Sequence, residues 1–137
     1  MRGILLSLAR AILGTGPVSA QGAEADAAIQ GVIGSQMQAF RDGDIPQAWS
    51  HASPMIKGLF GSENNFARMV QNGYPMVWDP SKTKFLDAIP RGDMIVQRLQ
   101  IIDQKGRAYI AEYAMLMVDG EWRIAGVEIK EDKSFGV

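Results

Sequence analysis

The chain has no cysteine and a single histidine, His51, among its 137 residues. Without thiols it has no disulfide framework and no thiolate nucleophile. One histidine with no tight acidic cluster makes no metal-ligand set. An excess of charge of either sign is also missing. The 14 Lys and Arg stand against 15 Asp and Glu, a formal net charge of −1. The basic residues are scattered, so nucleic acid would find no electrostatic footprint. Beyond the N-terminal segment no apolar run approaches the ~20 residues that a membrane span needs. No glycine-rich loop follows a strand to cradle phosphate, since Gly58, Gly61 and Gly73 punctuate helices. No serine stands in a nucleophile elbow, and Ser53 before Pro54 is a helix cap. No cofactor, metal or nucleic-acid site is therefore expected.

What is present begins with Met1-Arg2, apolar residues at 3–9 and 11–13, and then Val18-Ser19-Ala20. A basic start, an apolar middle and a small-x-small end are the layout of a secretory signal. It predicts a leader over residues 1–20, cleaved after Ala20, and a periplasmic or secreted protein. Arg10 interrupts the apolar middle, and a leader disabled by it would leave the protein cytoplasmic. Residues 21–137 are then one domain, long enough to bury its own core.

After a short polar lead over 21–26, apolar residues Ile29, Val32, Ile33, Met37 and Phe40 recur at helical spacing, predicting a helix over 27–41. Gly31 and Gly34 within it suggest close approach to a sheet, and Gly43 ends it. Asp44 with Pro46, Ser53 with Pro54, and Ser62 each mark a new helix start. Short helices are expected over 45–52, 55–60 and 63–72, forming a bent lid. Tyr74-Pro75 is read as extended backbone and residues 78–81 as a turn.

Strands follow over 84–89, 94–103, 107–118 and 121–130. Asp119-Gly120 is a two-residue hairpin turn, and Gly106 supplies the left-handed residue of the hairpin before it. The fold class is α+β: a curved antiparallel sheet of about four strands with N-terminal helices on its concave face. Simple hairpin register pairs Val118 with Glu121, Tyr113 with Gly126, Ala111 with Glu128, Gln97 with Tyr113 and Arg98 with Glu112. The aromatic and Met-rich face, with Ile95, Leu99, Ile101, Met115, Met117, Trp122 and Ile124, should carry the helices. The other face carries Val96, Arg98, Glu112, Ala114, Leu116, Arg123 and Val127, with Arg98 and Glu112 as an exposed pair.

The core face has one anomaly. Gln97, Tyr113 and Gly126 fall side by side in the expected register, with Glu128 one step along. Either a buried Tyr–Gln hydrogen bond sits beside a glycine that makes room for a helix, or these groups belong to a small-molecule pocket.

The run Asp119-Gly120-Glu121-Trp122-Arg123-Ile124 resembles the closing hairpin of nuclear transport factor 2-like (cystatin-like) domains. The helices resemble a narrower bacterial group, domain of unknown function 4864. The matching residues are Gln38-Ala39-Phe40, Ala48-Trp49, Ala52-Ser53-Pro54, Phe60-Gly61, Phe66, Met69-Val70 and Tyr74-Pro75. The resemblance implies a cone-shaped sheet with helices over it and a pocket between them. It implies no reaction, because fold alone does not fix function.

Three functions follow. In the first, the domain is a non-enzymatic binder of a small apolar or amphipathic ligand, with Tyr113 and Gln97 orienting it and Trp49, Phe66, Tyr74 and Trp122 lining the walls. In the second, the outer sheet face, with Val96, Ala114, Leu116 and Val127, forms a homodimer or docks a partner without any ligand. In the third, an acid–base enzyme of the isomerase or cyclase type uses Asp87 or Glu128 as a buried base. His51, at a helix end, reads as a charge partner for that terminus. No set of residues forms a catalytic constellation.

Overall fold

The computed structural model describes the backbone of residues 17–134 and the side chains of residues 22–134. Residues 1–16 of the expected leader lie outside the described residues. Helix α1 spans Pro17–Asp42, so the segment expected as a polar lead is helical instead. Ala23, Glu24, Ala25, Ala27 and Ala28 are good helix formers, and they carry the helix N-terminal to its first core contact at Ile29. Its buried stripe is Ile29, Ile33, Gln36, Met37 and Phe40. Gly31 and Gly34 do not make the expected close approach, for a Cβ on either would meet no atom within 4 Å.

Four short helices follow. Helix α2 (Ile45–Ser50) is capped by Asp44, whose carboxylate accepts from Gln47 N at 3.3 Å. Helix α3 (Pro54–Phe60) is capped by Ser53, and it stops at Gly61, whose φ of 78° suits glycine. Helix α4 (Glu63–Gly73) begins at Ser62, which accepts from Asn65 N at 3.2 Å. Tyr74 leaves the helical region, as a residue before proline must, but Pro75 then opens a further helix, α5 (Pro75–Trp78). The fixed φ of proline is compatible with a first helical position as well as with extended chain.

Strands β1 (Lys82–Arg91), β2 (Met94–Ile102), β3 (Ala108–Val118) and β4 (Glu121–Glu131) form one antiparallel sheet in sequence order. The sheet curves under the helices. Asp119 and Gly120 both take positive φ, 51° and 83°, as a type I′ turn requires. The Asp103 carboxylate braces the other hairpin by accepting from Lys105 N at 2.9 Å and Arg107 N at 2.8 Å.

The pairs Gln97–Tyr113, Arg98–Glu112 and Val118–Glu121 form as expected. From the turn the β3–β4 register holds as far as Met115–Ile124 and then shifts. Met115 pairs with Ile124 but Ala114 pairs with Gly126, so Ala125 is a bulge residue. Tyr113 therefore faces Val127 and not Gly126, and Ala111 faces Ile129 and not Glu128. A slip of one residue reverses every side chain beyond it. Val127 and Ile129 join the core, whereas Glu128 sits opposite Glu112 on the outer face. Val127 thus cannot belong to an outer docking face. Met117 is 47% exposed because the core ends short of that turn.

Beside the bulge, residues 51–53 add to the edge of β4. Ile124 N donates to His51 O and Ser53 N donates to Ile124 O, both at 2.8 Å. This tether holds the start of α3 against the sheet. The five helices among the described residues lie on the inner face. The outer face carries a chain of charges: Arg98 Nη1 to Asp87 Oδ1 at 2.7 Å, Arg98 Nε to Glu112 Oε2 at 3.4 Å, and Lys130 Nζ to Glu112 Oε1 at 3.9 Å.

Candidate functional site

Between the helices and strands β3 and β4 lies a cavity of about 240 Å³. Helix α1 contributes Gln36 and Phe40, α3 contributes Ile56, Leu59 and Phe60, and α4 contributes Phe66, Met69 and Val70. Tyr74 and Val77 close one side, and Tyr113, Ile124 and Val127 form the floor. Leu59, 73% exposed, marks the mouth. The walls are almost wholly apolar.

Two lining groups are polar and buried. Gln36 falls on the helical stripe three residues after Ile33, which turns it inward. Its Nε2 donates to Ala48 O at 3.0 Å, which joins α1 to α2. That bond fixes the amide orientation and uses one of the two Nε2 protons, while Oε1 meets no donor among the described residues. Tyr113 has no exposed surface, and its hydroxyl has no hydrogen-bond partner among the described residues. Burial pushes the phenol above its ordinary value, so it stays neutral and able to donate.

The other sequence candidates separate. Phe66 and Tyr74 line the cavity. Gln97 does not. It is fully buried and directs Nε2 at Leu86 O (3.1 Å), Asp87 O (3.3 Å) and Arg98 O (2.8 Å). Those carbonyls surround the irregularity in β1 between Phe85 and Ala88, so Gln97 closes a bulge. The Tyr113–Gln97 hydrogen bond considered from sequence is not made, and Gln97 Oε1 and Tyr113 Oη both lack partners. Trp49 stands behind the wall, edge-on to Phe66 with centroids 5.5 Å apart and Lys57 Nζ at 5.9 Å from its ring. Trp122 pairs with Met117 and packs against the core away from the cavity.

None of the proposed acid–base groups reaches the cavity. Asp87 is held below the usual carboxylate range by its hydrogen bond from Arg98 on the outer face. Glu128 lies on that face as well. His51 is lowered by burial and then by nearby Arg123, with Glu121 opposing. Its Nε2 is 3.3 Å from Gln47 Nε2, and its Nδ1 is buried without a partner. Among the described residues no three metal-binding side chains converge, and no helix is long and apolar enough to cross a membrane.

Gln36, Phe40 and Ile56 were not anticipated at the site. The period that placed Ile33 and Phe40 inward also places Gln36 inward, so a polar residue on an apolar stripe was the available signal.

The curved four-stranded sheet carrying its helices on the inner face is an α+β fold like that of nuclear transport factor 2-like proteins. Two crystal structures share it. One, an NTF-2-like protein of unknown function from Silicibacter pomeroyi DSS-3, is 18% identical with a TM-score of 0.57, covering 81% of this chain and 98% of that one. The other, an NTF2-like protein of unknown function from Shewanella baltica OS155, is 16% identical with a TM-score of 0.56, covering 80% and 95%. The chain belongs to the family described as domain of unknown function (DUF4864), whose model matches residues 22–137. No curated protein matches it.

Proposed function

We propose that this domain binds a small apolar ligand in the cavity between its helices and sheet. One observation carries the reading: about 240 Å³ of space with apolar walls, next to a buried phenol with no hydrogen-bond partner. At ~30 Å³ per water the space would hold about eight molecules. Each water needs two to four polar partners, and the lining side chains supply only Gln36 and the two tyrosines. Water on these walls finds few polar groups, and a hydrocarbon body with a polar group matches them better. Native mass spectrometry of the gently purified chain tests this. A reproducible non-covalent mass that leaves on denaturation supports binding. A bare protein from its natural source, also inert to added apolar compounds, refutes it.

A second reading, homodimerisation through the outer sheet face, is favoured by that face being uncovered. It carries Ile89, Ile110, Ala114 and Leu116 beside the charge chain, whereas Val96, expected there, is buried. Light scattering that shows a monomer at micromolar concentration would reject it.

A further inference from the structure

We infer that the ligand enters as a neutral molecule, an apolar body bearing an alcohol or amide group, and that this site rejects carboxylates and ammonium ions. The inference rests on the binding reading above and adds the ligand's chemistry to it.

None of the 15 lining residues is Lys, Arg, His, Asp or Glu. The cations on neighbouring elements are engaged elsewhere. Lys57 lies over the Trp49 ring, Arg68 Nη2 donates to Asn65 at 2.9 Å, and Arg123 Nη2 is 2.7 Å from Glu121. An ion carried into such a site would lose its hydration and meet no counter-charge, so it would neutralise or stay out.

The two buried polar groups then say what the neutral ligand must present. Gln36 spends one of its two Nε2 protons on Ala48 O, and its Oε1 meets no donor among the described residues. That oxygen selects a ligand that brings an O–H or N–H. The Tyr113 hydroxyl, kept neutral by burial, needs an acceptor for its proton. An alcohol oxygen or an amide group both donates and accepts, and so can satisfy either side chain. A plain hydrocarbon satisfies neither, and a carboxylate brings no proton for Gln36 Oε1.

The test is calorimetric titration of the full-length chain with octanol, octanamide, octanoate and octylamine at neutral pH, with octanoate repeated at about pH 4.5, near the ordinary carboxyl range. Octanol and octanamide should bind, and octanoate and octylamine should bind at least about tenfold more weakly. Octanoate should gain affinity at the lower pH, where a large fraction is the neutral acid. In Gln36→Leu, octanol should lose roughly 3- to 10-fold, the value of one hydrogen bond. The wild-type series decides the matter even if that variant does not fold. Octanoate binding as tightly as octanol at neutral pH would overturn the neutral-ligand inference while leaving the cavity a binding site. Failure of all four compounds would overturn the binding reading itself.

Discussion

Tyr113→Phe should make the unliganded protein more stable and the liganded complex weaker. The side chain has no exposed surface and its hydroxyl no partner, so the folded state carries an uncompensated desolvation penalty. Such a penalty is about 1–3 kcal/mol. Phenylalanine keeps the ring and its packing and loses only the oxygen, so the void left behind offsets part of the gain. A net stabilisation of about 1 kcal/mol is expected, or roughly 3–6 °C in Tm for a domain of this size. In urea the midpoint should rise with an unchanged m-value. Affinity for a hydroxyl-bearing ligand should fall about 3- to 10-fold, since the lost hydrogen bond is now a real one. The phenol adds a pH signature. Burial raises its folded pKa above the ordinary value of 10, so the unfolded chain ionises first as pH rises. The wild type should therefore lose stability above about pH 10, and Tyr113→Phe should lose less. A variant that melts several degrees below wild type would show the hydroxyl to be hydrogen-bonded within the protein, with Gln97 Oε1 the nearest reading, and would refute the argument.

Gly31→Ala and Gly34→Ala should each stabilise by up to about 1 kcal/mol, since a helical glycine is replaced where a Cβ meets open space; urea titration checks both. Gln97→Leu should destabilise by at least about 2 kcal/mol, because the carbonyls of Leu86 and Asp87 lose their shared donor inside the β1 bulge. Increased hydrogen exchange confined to β1 and β2 would confirm that local cause, and an unchanged melting curve would reject it. His51 is depressed below its ordinary 6.5 by burial and Arg123, so the unfolded chain takes up the proton first as pH falls. Stability should decline below about pH 6.5, and His51→Gln should flatten that part of the pH profile.

The fold was legible because its signals are local. Asp119-Gly120 dictates a tight hairpin, Ser53-Pro54 and Ser62 start helices through their own side chains, and the stripe from Ile29 to Phe40 needs only a period of 3.6. The site was less legible because it depends on two bulges. Ideal pairing carries Gly126 and Glu128 to the core face; the bulge at Ala125 carries Val127 and Ile129 there instead. The alternation Val127-Glu128-Ile129-Lys130 held that information, since only a one-residue shift turns its apolar members inward. Nothing comparable marked β1. There the unpaired residues are Leu86 and Asp87, and Gln97 is drawn toward their carbonyls and away from the cavity.

Energetics bear on why such a cavity persists. Apolar wall left facing water forgoes about 25 cal/mol per Å² of burial, and the mouth beside Leu59 lets water reach these walls. The chain has the means to fill the space: Val70 and Val77 line it, and larger side chains at either position would reach inward. Instead the walls stand back, braced from outside. Trp49 supports Phe66, Phe40 stacks on Trp78 at 5.1 Å, and Ile124 is hydrogen-bonded on its free edge to residues 51–53. A scaffold stiffened in this way would hold the cavity's shape, and a bound ligand of the proposed kind would gain contact with its apolar walls.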